Sequence, residues 1–478
     1  MRRILYLAFI LLLLLPWAQK SMKLFKLKPL DGYVAESEVK QPTLNWENWQ
    51  SSSFQQYISN RTREKIGLKQ VLIRIINQFR YSLFNTANTN GVLVLEDNFI
   101  MPLDYVNSLM GEDYIGQDSL VKFATKTKFI QDELKAQNKE FFILIAPGKP
   151  SLYPEIIPKF YHPKLDSAVT NYDTFTDMLD QMNVEYLDLK QAIINHKTEF
   201  KFPIFPKQGV HWSGNTVAYA TDTLLDYIKH RGTVATGNIK LGSGEKTVNN
   251  YRFTDYDIGE SMNLLWSIAD DTLHYPTMEI VQNNKPKPTL LGVGDSFFQS
   301  FVYFYPTFDS LFSADSKFWF YNKKIEWPSE YRDAYFEVKY LSLKKEIDKS
   351  DIIIIQMTEQ NIAQTGYLFV DNLYAILKSK SLTDLDFSAK KLSDEEIEKA
   401  QQLAEKVGIS AVELENNLKE NKLIAELQGG EKAQIDAILQ TMLKNEQWMK
   451  NLTRQAKEKN ISLEENMLIN AKWVLENE

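Results

Sequence analysis

Thr289-Leu290-Leu291-Gly292-Val293-Gly294-Asp295-Ser296-Phe297 runs a short apolar stretch straight into a polar turn. Its apolar part does not alternate with polar residues, so it reads as a strand buried on both faces, the habit of parallel sheets. Three other stretches share the pattern. Phe141-Phe142-Ile143-Leu144-Ile145-Ala146 stops at Pro147-Gly148, Val184-Glu185-Tyr186-Leu187-Asp188 follows a helix-like stretch, and Ile352-Ile353-Ile354-Ile355 runs on to Thr358-Glu359. Helical spacing lies between them, which gives an α/β fold with a parallel sheet sandwiched by helices. Ligands in such folds sit beyond the carboxyl ends of the strands, so the polar residues that close these runs are the first place to look for a site.

Composition narrows the chemistry. The chain has 478 residues, 44% hydrophobic and 24% charged, enough for a sizeable core and for two to four domains. Its formal net charge of -7 gives no reason to expect a nucleic-acid partner. There is no cysteine, which excludes disulfides, thiolate metal sites, a catalytic Cys and a lipidated Cys. The five histidines (162, 196, 211, 230 and 274) are scattered and form no spaced ligand pair, so no metal is expected. No Gly-rich phosphate loop of Walker or dinucleotide type is present, and no cofactor is expected.

At the N-terminus Arg2 and Arg3 precede an unbroken apolar run, Ile4 to Ala18, followed by Lys20, Lys23, Lys26 and Lys28. The run has the length of a signal-peptide core, and no small-residue cleavage site is evident. It reads as an export signal retained as an anchor, residues 1–28. The body would then lie outside the cytoplasmic membrane, periplasmic and tethered, or secreted if the segment is cleaved. Phe54 to Tyr57, Leu68 to Phe84 and Phe123 to Leu134 have helical spacing. Asn90-Gly91 marks a turn before a short strand, Gly91 to Leu95. The main domain spans 29–380.

After 380 the sequence reads as a small helical domain, 381–478. Three capping boxes open helices at Ser393 to Glu396, Ser410 to Glu413 and Ser462 to Glu465, with Gly408 as a stop. Gly429-Gly430 separates two similar halves, and Trp448, Leu452 and Ala456 share a helical face. Packing or partner contact is the expected role.

Ser296 sits where a strand turns into a helix. Its hydroxyl can stand at the sheet edge, and the amides of Ser296 and Phe297, which open the helix, can face an oxyanion. A serine needs a base, and histidine has the matching pKa. His211, in His211-Trp212-Ser213, follows the loop Phe202 to Gly209 and precedes a helix from Gly214 to Ile228. The other histidines lie in a Pro-flanked loop (His162), among charged residues (His196, His230) or beside Tyr275-Pro276 (His274). The aromatics Phe297, Phe298, Phe301, Tyr303, Phe304 and Tyr305 follow the Ser phrase at a spacing that suits core more than a sugar groove.

Three phrases resemble the periplasmic alginate O-acetylation proteins of the AlgX/AlgJ type, whose catalytic domain is an SGNH hydrolase-like fold of DHHW type. They are Ala146-Pro147-Gly148-Lys149 with Tyr153-Pro154-Glu155, then His211-Trp212-Ser213, then Gly294-Asp295-Ser296-Phe297. The resemblance covers about residues 50–375. It implies a Ser296 nucleophile, a His211 base, acetyl transfer to an exopolysaccharide, and a membrane-bound O-acyltransferase as the acetyl source. One position departs. The family reads Asp-x-His-Trp, and this chain reads Gly209-Val210-His211-Trp212. Either another acid orients His211, with Glu359 and Asp188 the candidates because both close buried strands, or a backbone carbonyl does so in a slower Ser–His dyad. The third option is that catalysis is lost and a glycan-binding or assembly role remains. An acetylesterase is the neighbouring enzymatic reading.

Overall fold

The computed structural model describes residues 2–31, 42–89, 91–268, 271–378, 390–428 and 445–477, with a few single positions between 435 and 443. At its centre is a six-stranded sheet. The strands are β1 (Glu140–Ala146), β2 (Tyr186–Asp188), β3 (Leu290–Gly294), β4 (Lys317–Phe320), β5 (Lys324–Trp327) and β6 (Ile352–Thr358), in the order β5-β4-β3-β6-β1-β2. All neighbours are parallel except the β4–β5 hairpin. The expected mixed α/β architecture is therefore present; three of its four apolar runs form the adjacent strands β3, β6 and β1 inside the sheet, and the fourth forms the half-buried edge strand β2.

Side chains alternate between the two sheet faces. Phe141, Ile143 and Ile145 of β1 enter one core cluster, while Phe142, Leu144 and Ala146 enter the other. The first cluster is covered by the helices Gln117–Lys135 and Phe369–Lys378, the second by Gly214–Arg231. Ile352 to Ile355 of β6 are fully buried. At roughly 1.5–3 kcal/mol for each buried aliphatic side chain, this strand alone commits the chain to a two-sided core.

The sequence pattern did not reveal β4 and β5. Their connection runs through Tyr321 and Asn322, both left-handed (φ 50° and 57°). This is the backbone of the tight hairpin turn, made here without the glycine that usually signals it. The aromatics after Ser296 are core: Phe297 and Phe298 are fully buried, and Phe301, Phe304 and Tyr305 nearly so.

The C-terminal helices divide in two. Ala400, Leu414, Leu418 and Ile424, from the helices Asp394–Val407 and Ala411–Leu427, join the core on one face of the sheet. The helices Glu446–Lys459 and Leu463–Asn477 share a separate cluster that includes Leu452, Met467 and Ala471. The first capping box forms in both directions at Ser393 and Glu396. In the third, the Ser462 hydroxyl accepts from the Glu465 amide at 3.0 Å. The second does not form, because Ser410 makes no capping bond. Asn90, Gly429-Gly430 and the expected boundary at 380 lie outside the described residues. Among the described residues, one helix, Arg3–Met22, is long and apolar enough to cross a membrane by length and composition.

Beside the sheet, Asn171 ties down the turn before Gln117–Lys135. It accepts from the Ile115 amide and donates to the Asp113 carbonyl, each at 3.0 Å. The Asp113 carboxyl is buried there, and burial pushes its pKa from 3.8 up to about 6. Its folded pKa is raised, so the protonated form suits the folded state. Stability from this group is present below about pH 4 and is lost as pH rises through 6. Asp113→Asn should therefore raise the unfolding free energy at pH 8 by up to about 3 kcal/mol and change little near pH 4. Urea denaturation at the two pH values checks both sign and window.

Candidate active site

Strand β3 ends beside β6 with little room to spare. A Cβ at Gly294 would lie 2.6 Å from the Gln356 side-chain oxygen and 3.1 Å from its carbonyl. Glycine is what lets the two strand ends close together. Asp295 then caps the helix that begins at Ser296. One carboxylate oxygen accepts from the Phe297 amide at 2.9 Å. The other accepts from the Thr358 amide (2.8 Å), the Thr358 hydroxyl (2.6 Å), the Asn361 side chain (2.7 Å) and the Tyr367 hydroxyl (3.2 Å). A buried carboxylate with this many donors is a stiff junction, and it holds Ser296 at the carboxyl edge of the sheet.

A buried cation places the histidine. Lys149 is fully buried, and its ammonium donates to the carbonyls of Ile100 (2.7 Å), Lys207 (2.8 Å) and Gly209 (2.9 Å). That fastens the loop leading into His211. Trp212 is buried against Phe297 and Phe301, at ring distances of 5.3 and 5.4 Å, and so locks the histidine segment to the serine helix. Ser213 stands at the helix start, but its hydroxyl donates to the Pro203 carbonyl at 2.6 Å and makes no capping bond.

These supports bring three side chains into line. His211 Nε2 lies 2.7 Å from the Ser296 hydroxyl. His211 Nδ1 lies 2.8 Å from Asp257 Oδ2. An ionised carboxylate can only accept, so Nδ1 carries the proton and Nε2 is left to take one from Ser296. Asp257 opens the short helix Asp257–Ser261, and its other oxygen accepts from the amides of Val210 (2.9 Å) and Ile258 (2.7 Å). The acid, the base and the backbone just before the base are thus bonded as a unit.

Three sequence expectations need correction. Glu359 does not bond His211. It accepts from the Gly148 amide, the Ser151 hydroxyl and the Lys190 ammonium, each at 2.6 Å. Asp188 does not bond His211 either. It accepts from the Tyr172 hydroxyl at 2.6 Å and the Gln191 amide at 2.9 Å, with its pKa pushed up by burial. Glu359 closes a fully buried strand as expected, whereas the strand that ends at Asp188 is a half-buried edge strand, and the two acids build a polar girder beside β1, β2 and β6. The Phe297 amide is engaged by Asp295, which leaves the Ser296 amide as the helix-opening donor of the expected pair.

Asp257 is not marked as the partner of His211 by anything in the sequence around it. It lies 46 residues from His211 in a chain with 62 acidic residues. Its only local mark is Tyr256-Asp257-Ile258-Gly259, an acid at a helix start after a loop. The space beside Gly209 is already taken. A Cβ there would lie 2.6 Å from Pro206 Cγ, 3.0 Å from the Thr254 carbonyl and 3.1 Å from the Asp255 carbonyl. The segment that carries Asp257 fills the place an aspartate at 209 would need.

Residues 118–250 match the family model of the SGNH hydrolase-like domain of the acetyltransferase AlgX. The AlgX-type stretch holds the Ala146–Lys149 and His211 phrases and ends before Asp257 and Ser296. Among solved structures, the chain is similar to the O-acetyltransferase domain of Pseudomonas putida AlgJ (14% identity, TM-score 0.32, 62% of this chain and 95% of that one). It is also similar to Pseudomonas aeruginosa AlgX (12%, 0.41, 63% and 71%) and Bacillus cereus PatB1 (11%, 0.35, 59% and 99%). No curated protein sequence matches the chain.

The AlgX-type pattern and the packing around Gly209 give opposing expectations for one substitution. Gly209→Asp restores the Asp-x-His-Trp spelling, yet its Cβ would press on the Pro206 ring and on the carbonyls of residues 254 and 255. It should destabilise the protein by about 2 kcal/mol and lower the reactivity of Ser296. Thermal unfolding together with the rate of acylation by an activated acetyl ester checks this.

Proposed function

We propose that the protein is an exported, membrane-anchored O-acetyltransferase, or acetylesterase, that modifies an exopolysaccharide through an acetyl-enzyme. The observation that carries the reading is the pair of contacts made by His211, 2.7 Å to Ser296 and 2.8 Å to Asp257. Ser296 Oγ attacks the acetyl carbonyl while its proton passes to His211 Nε2. Asp257 stabilises the imidazolium that forms. The tetrahedral oxyanion is met by the Ser296 amide. Collapse returns the proton from His211 to the leaving oxygen and leaves acetyl-Ser296. A sugar hydroxyl, deprotonated by His211, then takes the acetyl group; with water in its place the outcome is ester hydrolysis.

The AlgX-type match supports polysaccharide as the substrate class. The apolar helix at the N-terminus supports an anchor, with the catalytic body on the outer side. A membrane-bound O-acyltransferase as acetyl source follows from the resemblance. The alternative of a non-catalytic glycan-binding or assembly component rests on the missing acid before His211 and on the C-terminal helices, and Asp257 beside that histidine weakens the first ground.

A fluorophosphonate probe should label the full-length protein on Ser296 and fail to label Ser296→Ala. Asp257→Asn should keep the fold and lower turnover of an activated acetyl ester by about 10⁴, as loss of the orienting acid does in Ser-His-Asp triads. Folded protein that resists the probe, or full turnover in Asp257→Asn, overturns the reading.

A further inference from the structure

The helix Lys69–Phe84 is turned against the usual rule. Its packed side is polar. Asn77 is buried and donates to the Met262 carbonyl at 2.8 Å, Arg74 donates to the carbonyls of Lys28 (3.0 Å) and Pro29 (2.7 Å), and the Tyr81 hydroxyl donates to Asn98 at 2.5 Å. Its outer side is apolar. Leu72, Ile75, Ile76, Phe79 and Leu83 stand at i, i+3, i+4, i+7 and i+11 and are exposed by 39%, 46%, 51%, 56% and 62%. This is the spacing of a helix face made to be covered. A groove of about 670 Å³ runs along it.

Two observations say what covers it. The first is position. The turn at Gly67, just ahead of this helix, abuts the N-terminal apolar helix: a Cβ on Gly67 would lie 2.0 Å from the Pro16 carbonyl and 2.8 Å from the Lys20 amide. Residues 4–18 are the apolar run and Lys20, Lys23, Lys26 and Lys28 follow it, so the Gly67 turn stands at the level where a spanning helix leaves the hydrocarbon. The second is charge. From Ser53 to Phe84 the sequence has six basic residues (Arg61, Arg63, Lys65, Lys69, Arg74, Arg80) and one acid, Glu64, in a chain of net charge -7. An apolar stripe on a basic helical segment is the signature of a helix lying in a membrane interface.

We infer that the outer face of Lys69–Phe84 docks on the anionic headgroup surface of the membrane that the N-terminal helix enters. The proposal rests on the membrane-anchored reading above and goes beyond it. The body is then held to the bilayer at two points, a spanning helix and an interfacial one. Two points fix its tilt, so the carboxyl edge of the sheet, where Ser296 stands, keeps a constant orientation to the membrane.

The test uses the full chain, whose lack of cysteine makes an introduced one the sole labelling site. Phe79→Cys and Leu83→Cys carry an environment-sensitive fluorophore, and Tyr335→Cys, 80% exposed, serves as the reference. Each protein is reconstituted in phosphatidylcholine vesicles with or without phosphatidylglycerol, doped with a lipid nitroxide shallow in the acyl chain. The expected result is flotation with the vesicles, a blue shift at 79 and 83, and quenching there several-fold above that at 335, greater with phosphatidylglycerol. Flotation with water-exposed probes at 79 and 83 overturns the docking face and leaves the anchor standing. So does flotation with probes that are dry but unquenched, which marks a protein, a second copy included, on that face. Failure to float overturns the anchored reading itself.

Discussion

One imidazole joins three separate stretches of this chain. His211 meets Ser296 on one side and Asp257 on the other, and neither contact survives unless the serine helix, the histidine loop and the Asp257 helix stay in register. Much of the surrounding structure serves that register. Asp295 clamps the start of the serine helix to the end of β6. Lys149 clamps the histidine loop from behind through three carbonyls. Trp212 fills the space between loop and helix with a buried ring.

These clamps differ in kind from the residues they hold. Asp295 and Lys149 are buried charges whose hydrogen-bonding capacity is taken up by neighbouring groups, and a buried charge is tolerable only in that condition. Their bonds are directional and short, so they hold particular backbone segments in fixed positions. Apolar packing alone does not do that. The sheet supplies the platform, with β1, β3 and β6 ending side by side and their closing turns at Gly148, Asp295 and Glu359 sharing one rim. The Glu359–Lys190 pair stiffens that rim next to the serine and stays out of contact with His211.

Asp257 brings to His211 Nδ1 a carboxylate that the sequence beside the histidine does not supply. His211 needs a carboxylate at Nδ1, whatever chain segment brings it. At position 209 the backbone approaches Pro206 and the carbonyls of residues 254 and 255 so closely that a Cβ there would crowd all three. The same approach delivers Asp257 from the facing segment. The Asp257 carboxylate also accepts the Val210 amide, so it orients the imidazole and the backbone beside it together.

The apolar strands, the helices between them, the glycine before Asp295, and Ser296 with His211 were all legible in the linear chain. Each is marked by its neighbours in sequence: period, turn residues, and the edge of a buried run. The β4–β5 hairpin was not legible, because Tyr321 and Asn322 adopt left-handed backbone without glycine to announce it. Nor was the choice among 62 acidic residues for the partner of His211. Local sequence determines what each segment is. Which carboxylate faces an imidazole is decided by the distance between segments 46 residues apart, and that distance is set only when the two loops pack.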